Sequence, residues 1–420
     1  MSEGEKVKRQ FLSFFVSCLL VMAAAGSASA AGFALYEWSA RGNALGGTLV
    51  GRADDPSAVA FNPAGLTQLE GTQVALGATF AHPVCEVETP ASGGVTTSKS
   101  DNHIFAIPQF YLTHRINDRW AAGIGEFSRF GLGFKYHDDW PGAFNVFEAT
   151  IKSASLNPNI AYKVTDRLSV AVGVEYVYVD LDIKKRLPAK GPDDKLLPPS
   201  MSPTSALTAD GDGTALTAGI HYRLDNWRFG FGYHSQAKID ASGDTTLSGT
   251  HSPKDGDYHT TGSVILPDML NFGIAWYPAK NLSVEVGAIQ TRWSTYTDLD
   301  LDIDGQGHIP QPKNYDDVWR YNLGVEYGIT DNWDLRASYC FDEAPENAQY
   351  VDYMIPADDR HLIGVGTGCS FGSWTLDLAY TYIKAEKVTY KKANGVPGIL
   401  DGTSKNGVTH LGAVTLGYTF

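Results

Sequence analysis

A chain of 420 residues with 43% hydrophobic residues, 12% aromatics and 44 glycines carries a formal charge of −14. The acidic balance excludes nucleic acid as a partner. A mean hydropathy near neutral suits strands that show one apolar and one polar face.

Lys6, Lys8 and Arg9 precede an apolar run over residues 11–25 and the small-residue stretch Gly26-Ser27-Ala28-Ser29-Ala30. This pattern predicts a secretory signal peptide over residues 1–30, cut after Ala30. The run is shorter than the ~20 residues a spanning helix needs. No later stretch is long and apolar enough for one, so a membrane location requires strands closed into a barrel, where every backbone group finds a partner. Residues 31–71 come next and do not alternate. They are rich in Gly, Ala and Asp, with helix-like pieces near 39–49 and 55–60. Phe33, Leu35, Trp38, Leu45, Val59, Phe61 and Leu66 give this segment an apolar side, and it is expected to fold as a plug inside a wide lumen.

From residue 72 to 420 apolar and polar residues alternate between polar turns. Short turns are expected at 116–119, 164–167, 224–226, 278–281, 329–332 and 371–373, each with the composition of a tight hairpin. Longer Pro- and Gly-containing loops are expected near 83–101, 128–147, 185–210, 241–260, 304–316, 344–357 and 388–404. Six turns and seven loops connect fourteen strands. The fold class is therefore all-β: a 14-stranded antiparallel transmembrane barrel with an N-terminal hatch, short turns in the periplasm and long loops outside. Trp319, Tyr321, Leu323, Val325 and Tyr327 are expected to face lipid, with Arg320, Asn322, Gly324 and Glu326 facing inward. The final strand does the same through Gly412, Val414, Leu416, Tyr418 and Phe420. A soluble β-protein would alternate too, but it lacks the Trp and Tyr at the row ends that mark lipid interfaces.

Cys18 leaves with the signal peptide. Of the remaining thiols, Cys340 is expected opposite position 361 and Cys369 eight residues further along. That separation is on the order of 25 Å, beyond disulfide reach. No nucleophile-elbow or metalloprotease spacing is present. His82-x-x-Cys85 and Asp210-Gly211-Asp212-Gly213 are too short to complete a metal site. No enzyme activity, metal or cofactor is expected.

Ala31-Gly32-Phe33-Ala34-Leu35-Tyr36-Glu37, Ala53-Asp54-Asp55 and Asn62-Pro63-Ala64-Gly65 resemble the hatch of the FadL family, outer-membrane transporters of long-chain fatty acids and other hydrophobic compounds. The resemblance continues through Ser128-Arg129-Phe130-Gly131-Leu132-Gly133, Thr291-Arg292-Trp293-Ser294, Tyr315-Asp316-Asp317-Val318-Trp319-Arg320, Phe341-Asp342-Glu343-Ala344-Pro345 and Ile355-Pro356-Ala357-Asp358-Asp359-Arg360. It implies capture of a hydrophobic ligand on extracellular loops, transfer to a pocket reached by the N-terminal segment, and release sideways through the barrel wall. Phe33, Asn62, Pro63 and Ala64 match the hatch, and Phe130 and Gly131 match the kinked third strand that makes the opening. Lys185 aligns with a basic position near the ligand's polar end. The loop 128–147, with Phe130, Phe134, Trp140 and Phe144, and the loop 187–203, with Leu196 and Leu197, are candidate capture surfaces. Asp298, Asp300 and Asp302 stand where a second basic partner is sought, which keeps uncharged aromatic hydrocarbons open as ligands. A general porin is the rival transporter. Expected partners are the hydrophobic ligand and outer-membrane lipid with its lipopolysaccharide, around a single copy of the chain.

Overall fold

The computed structural model describes residues 32–91, 94–101, 103–250, 254–355 and 358–420. The expected signal peptide lies outside them, as do Pro356 and Ala357. Among the described residues fourteen antiparallel strands close into one barrel. They are β1 (Thr72–Ala91), β2 (Phe105–Arg115), β3 (Trp120–Phe127, continued as Gly131–Lys135), β4 (Glu148–Lys163) and β5 (Leu168–Arg186). Next come β6 (Thr204–Leu224), β7 (Trp227–His234 and Ala237–Ser248), β8 (Gly256–Leu266 and Met269–Ala279) and β9 (Leu282–Thr291). The set ends with β10 (Val318–Thr330), β11 (Trp333–Asp342), β12 (Arg360–Phe371), β13 (Trp374–Ala385) and β14 (Gly402–Thr419). The sheet closes where β1 pairs with β14, from Gln73 opposite Thr419 up to Glu88 opposite Thr403.

Several strands reach 19 to 21 residues, about twice the 9–11 needed to cross a bilayer. The wall therefore stands well above the membrane. The expected loops at 83–101 and 241–260 are largely strand, and the one at 185–210 is shortened at both ends to 187–203: Glu86–Ala91 pairs with Gly94–Lys99, and β5, β6 and β7 stay in register up to Arg186, Thr204 and Ser248. The sequence pattern hides this because above the bilayer the outward face meets water, so apolar alternation no longer marks a strand. Within the membrane the outward rows are as expected, with Val172 61%, Tyr321 48% and Tyr339 45% exposed on an otherwise lipid-bathed face. Rings beside the short turns form the periplasmic girdle, including Trp120 on Tyr162 and Trp227 on Trp276.

Residues 32–71 fill the lumen and are almost wholly buried up to Leu69. Two short helices, α1 (Ala40–Ala44) and α2 (Ala58–Phe61), precede a 3-10 turn, Pro63–Gln68. Ser39 caps α1 by accepting from Gly42 N. Backbone lies so close to the wall that a Cβ on Gly230 would sit 1.8 Å from Val50 O, and one on Gly324 2.1 Å from Thr48 Oγ1. Only glycine fits those two strand positions.

Glu285 on β9 holds the plug most firmly. It accepts from three successive backbone amides, Val50 (3.0 Å), Gly51 (2.9 Å) and Arg52 (2.8 Å). Arg52 in turn donates to Thr48 O, Ser283 O and Gly324 O. At the periplasmic end Arg41 joins Asp54 and Asp55 of the plug to Glu326 of the wall. Among the described residues Cys85, Cys340 and Cys369 form no disulfide. Cys340 faces Leu362 rather than 361, a one-residue shift in a pair joined by a long loop that does not fix register.

Candidate functional site: a strand break, two apolar cavities and the plug terminus

The third strand is interrupted at Ser128-Arg129-Phe130. Below the break Phe127 faces Ser155, and above it Gly131 faces Lys152, so β3 spends one more residue than β4. This is a bulge. Side chains replace the lost ladder: Ser128 Oγ donates to Ser153 O, while Ser153 Oγ accepts from Phe130 N and donates to Phe130 O. Toward β2 the ladder stops at Phe110 opposite Glu126. The upper part of β2, Phe105 to Gln109, pairs with β1 but not with β3. Pro108 lies in that stretch, where a missing N–H costs nothing on a free edge.

The plug terminus pairs instead with the edge of β3 at the break, Ala34 opposite Phe130. Leu35 N donates to Arg129 O and Gly131 N donates to Phe33 O, both at 2.7 Å. Phe33 packs edge-on to Phe130, Trp293 and Tyr296. Arg129 itself turns inward to Glu175 (2.9 Å), which His234 also contacts (3.0 Å). Phe33, Phe130 and Gly131, matched in the sequence to the hatch and to the kinked strand, thus meet at one place.

Two cavities lie above this cluster. The inner one is lined by Phe33, Ile151, Val179, Leu181, Ile239, Leu266, Tyr296, Leu299 and Leu301, with no charged side chain in its wall among the described residues. The outer one, about 150 Å³, is lined by Val146, Ile183, Leu207, Leu247, Leu301, Ile303, Ile309 and Met354, with Lys185 and Asp352 among them. Leu301 lines both, so the two adjoin. Lys185 sits above the bilayer at the outer end of β5 and makes no hydrogen bond or ion pair among the described residues. Burial, and then the neighbouring Lys313, hold its ammonium below the usual range. Lys313 is itself buried and paired with Asp352. Burial alone would lower its pKa, but the carboxylate reverses that and holds it raised. Asp298, Asp300 and Asp302 alternate with Leu299, Leu301 and Ile303 and point away from both cavities, Asp300 and Asp302 onto His308.

The remaining sequence candidates lie elsewhere. Phe134 lines a third small cavity with Cys85, Phe105, Ile383 and Arg360, on the lumen side of the free β2 edge. Trp140 is buried in a loop core, stacked on Tyr136 and edge-on to Tyr353. Phe144 is half-buried beneath Gly398, Leu197 rests near Gly191, and Leu196 is 59% exposed. Asn62 is fully buried; its Oδ1 accepts from Ala64 N, and its Nδ2 donates to Val50 O and, across to β6, Ile220 O. Pro63 starts the 3-10 turn that carries Ala64.

The aliphatic residues that line the cavities were missed in the sequence. Their signal is a change of phase: inward positions of β5 run Ser169, Ala171, Gly173 and Glu175, then Val177, Val179, Leu181 and Ile183.

A plugged barrel with apolar chambers above its plug is the architecture of an outer-membrane transport protein. The family of outer membrane protein transport proteins (OMPP1/FadL/TodX) matches residues 21–420, and the chain belongs to it. Outer membrane protein P1 of Haemophilus influenzae is 27% identical over 423 residues, covering 90% of this chain and 91% of that one. The long-chain fatty acid transport protein of Escherichia coli O6:H1 is 26% identical over 419 residues, covering 91% and 94%. Among solved structures, a Pseudomonas aeruginosa FadL homologue superposes with a TM-score of 0.82 at 20% identity, covering 93% of this chain and 100% of that one. The Ralstonia pickettii toluene transporter TbuX gives 0.67 at 19% identity, covering 92% and 100%. The protein is an outer-membrane barrel of this transport family.

Proposed function

We propose that the protein carries long-chain fatty acids or similar hydrophobic molecules across the outer membrane, working as a single barrel surrounded by lipid and lipopolysaccharide. The ligand is captured in the outer cavity, with a carboxylate head at Lys185. Its tail then passes Leu301 into the inner cavity, down to Phe33. Release of the Phe33–Leu35 segment from the edge of β3 lets it leave sideways through the gap beside Gly131. The observation that carries this reading is the contact between plug terminus and strand break directly beneath two adjoining apolar cavities. An apolar molecule gains about 0.8 kcal/mol per methylene on leaving water, so a path into hydrocarbon is favoured over one through a polar lumen.

A second reading is uptake of uncharged aromatic hydrocarbons by the same route. The inner cavity, which has no charged lining residue among the described residues, favours it. Equilibrium binding of radiolabelled oleate and of toluene to the folded barrel at pH 8 separates the two. Saturable oleate binding in preference supports the fatty-acid reading, and preference for toluene supports the second. The route is tested by deleting residues 31–62, which should leave a folded barrel that conducts ions but no longer imports either ligand. Normal import by the truncated barrel would remove the plug from the mechanism.

A further inference from the structure

Glu126 stands apart from the interior network. On β3 the inward positions are Ala121, Gly123, Gly125 and Phe127: a Cβ on Gly123 or Gly125 would meet Val59 of the plug. Trp120, Ala122, Ile124 and Glu126 therefore face the bilayer. Glu126 lies six residues above the girdle residue Trp120, about 20 Å along the strand and roughly 15 Å in height at the usual tilt. That places a carboxyl group within the apolar band, which is about 25 Å tall.

Its cross-strand neighbours are Phe110 on β2 and Leu156 on β4, and the next outward residues include Leu112 and Ile124. Among the described residues it has no hydrogen bond or ion pair, and its Oε2 is enclosed without a partner. From β2 the nearest titratable group is Tyr111, which turns inward and donates to Trp38 O. From β4 it is Lys152, opposite Gly131 and beside Asp180. From β3 it is Arg129, committed to Glu175. Among the described residues nothing charged faces Glu126. An unpaired carboxylate in hydrocarbon is costly, and such groups mark pathways. This one sits at the lower lip of the wall gap, two residues before the break.

We propose that Glu126 is the exit-side docking group for the head of a carboxylic acid ligand. Its neutral carboxyl offers one donor and one acceptor, which match the two of a protonated acid emerging through the gap while the tail enters the bilayer. The ionised ligand lacks the donor and meets a site with no cation. The fatty acid therefore crosses into the bilayer in its protonated form. A hydrocarbon passes without using Glu126. This inference rests on the sideways exit proposed above.

The test is transfer of preloaded oleate and toluene from the full mature barrel into the surrounding vesicle bilayer, with folding checked by heat-modifiable mobility. Glu126→Leu should slow oleate transfer about ten-fold, the worth of one or two lost hydrogen bonds, while toluene transfer and oleate binding stay unchanged. Glu126→Gln keeps a donor and an acceptor, and should transfer oleate near the parental rate. Oleate transfer at the parental rate in Glu126→Leu, or equal slowing of toluene, overturns the proposal. The exit itself is tested separately. With the extra residue of the bulge counted, the β2–β3 register continued past the break sets Phe105 opposite Leu132, both on the inward face, so a Phe105→Cys, Leu132→Cys disulfide in a Cys85→Ser background closes the wall. If the closed wall still transfers both ligands, the sideways route fails. If it stops both while Glu126→Leu is silent, only the role of Glu126 fails.

Discussion

Replacing Glu285 by Gln should loosen the plug without unfolding the barrel. The carboxylate is fully buried. Oε1 accepts from Val50 N and Gly51 N, and Oε2 accepts from Arg52 N at 2.8 Å with Arg52 Nη1 at 3.4 Å. A glutamine keeps one of these oxygens and points an NH2 group at the donors of the other. The loss combines a charge-assisted hydrogen bond with a broken buried pair, for which about 3 kcal/mol is typical. That corresponds to roughly a hundred-fold larger open population of residues 50–52. Arg52 keeps its bonds to Thr48 O, Ser283 O and Gly324 O, so the plug stays in the lumen. Amide exchange at Val50, Gly51 and Arg52 should accelerate by that factor, and ion conductance in planar bilayers should flicker above the parental level. Unchanged exchange at the three amides would refute the idea that this carboxylate anchors the plug.

At the outer cavity, Lys185→Ala should weaken oleate binding about ten-fold and leave toluene binding unchanged. Because the Lys185 ammonium is held below its usual range, affinity for oleate in the parental protein should fall as pH rises, before the pH at which an ordinary lysine loses its charge, and the variant should show no such fall; the readout is a binding titration at stepped pH. Leu301→Trp should obstruct the contact between the two cavities: oleate still binds outside, but stopped-flow transfer slows. In the loop after β11, burial pushes the Glu346 carboxyl up to about 8. The folded loop favours the protonated form, so its stability is fully present below the ordinary carboxyl pKa and is lost as pH rises through about 8. Exchange of residues 343–355, corrected for intrinsic rate, should grow by up to about ten-fold per pH unit across that window. Glu346→Gln should flatten the curve.

Fourteen strands and their outward rows could be read from the sequence because lipid and a polar interior impose opposite demands on alternate residues. The short turns were equally legible, since tight hairpins demand Asn, Asp and Gly. Strand ends above the bilayer were not legible. Asp210 on β6 and Asp244 on β7 look like loop residues until they are seen paired across the sheet. Phe33, Phe130 and Gly131 were found through motif resemblance, and their meeting depends on backbone bonds that no side-chain pattern encodes. Trp140 shows the opposite failure: an aromatic in a loop reads as a capture surface, but here Tyr136 and Tyr353 enclose it.

The inversion of facing along β5 gives the proposed route its direction. Within the membrane Val172, Val174 and Tyr176 face lipid, and Glu175 faces the lumen. Above it Val179, Leu181 and Ile183 face inward, and Asp180 and Asp182 face outward. A ligand moving down from Lys185 stays on apolar surface only as far as Phe33 and Phe130. Beneath these rings the lumen holds the buried Arg129–Glu175–His234 cluster, with Arg129 5.1 Å over the Phe130 ring. Each methylene pushed into that polar zone would forfeit about 0.8 kcal/mol of transfer energy and would also separate paired charges. At the same depth the wall offers a free strand edge with hydrocarbon beyond it. The downward path thus becomes unfavourable at the level where the sideways one opens, and this holds for oleate and toluene alike.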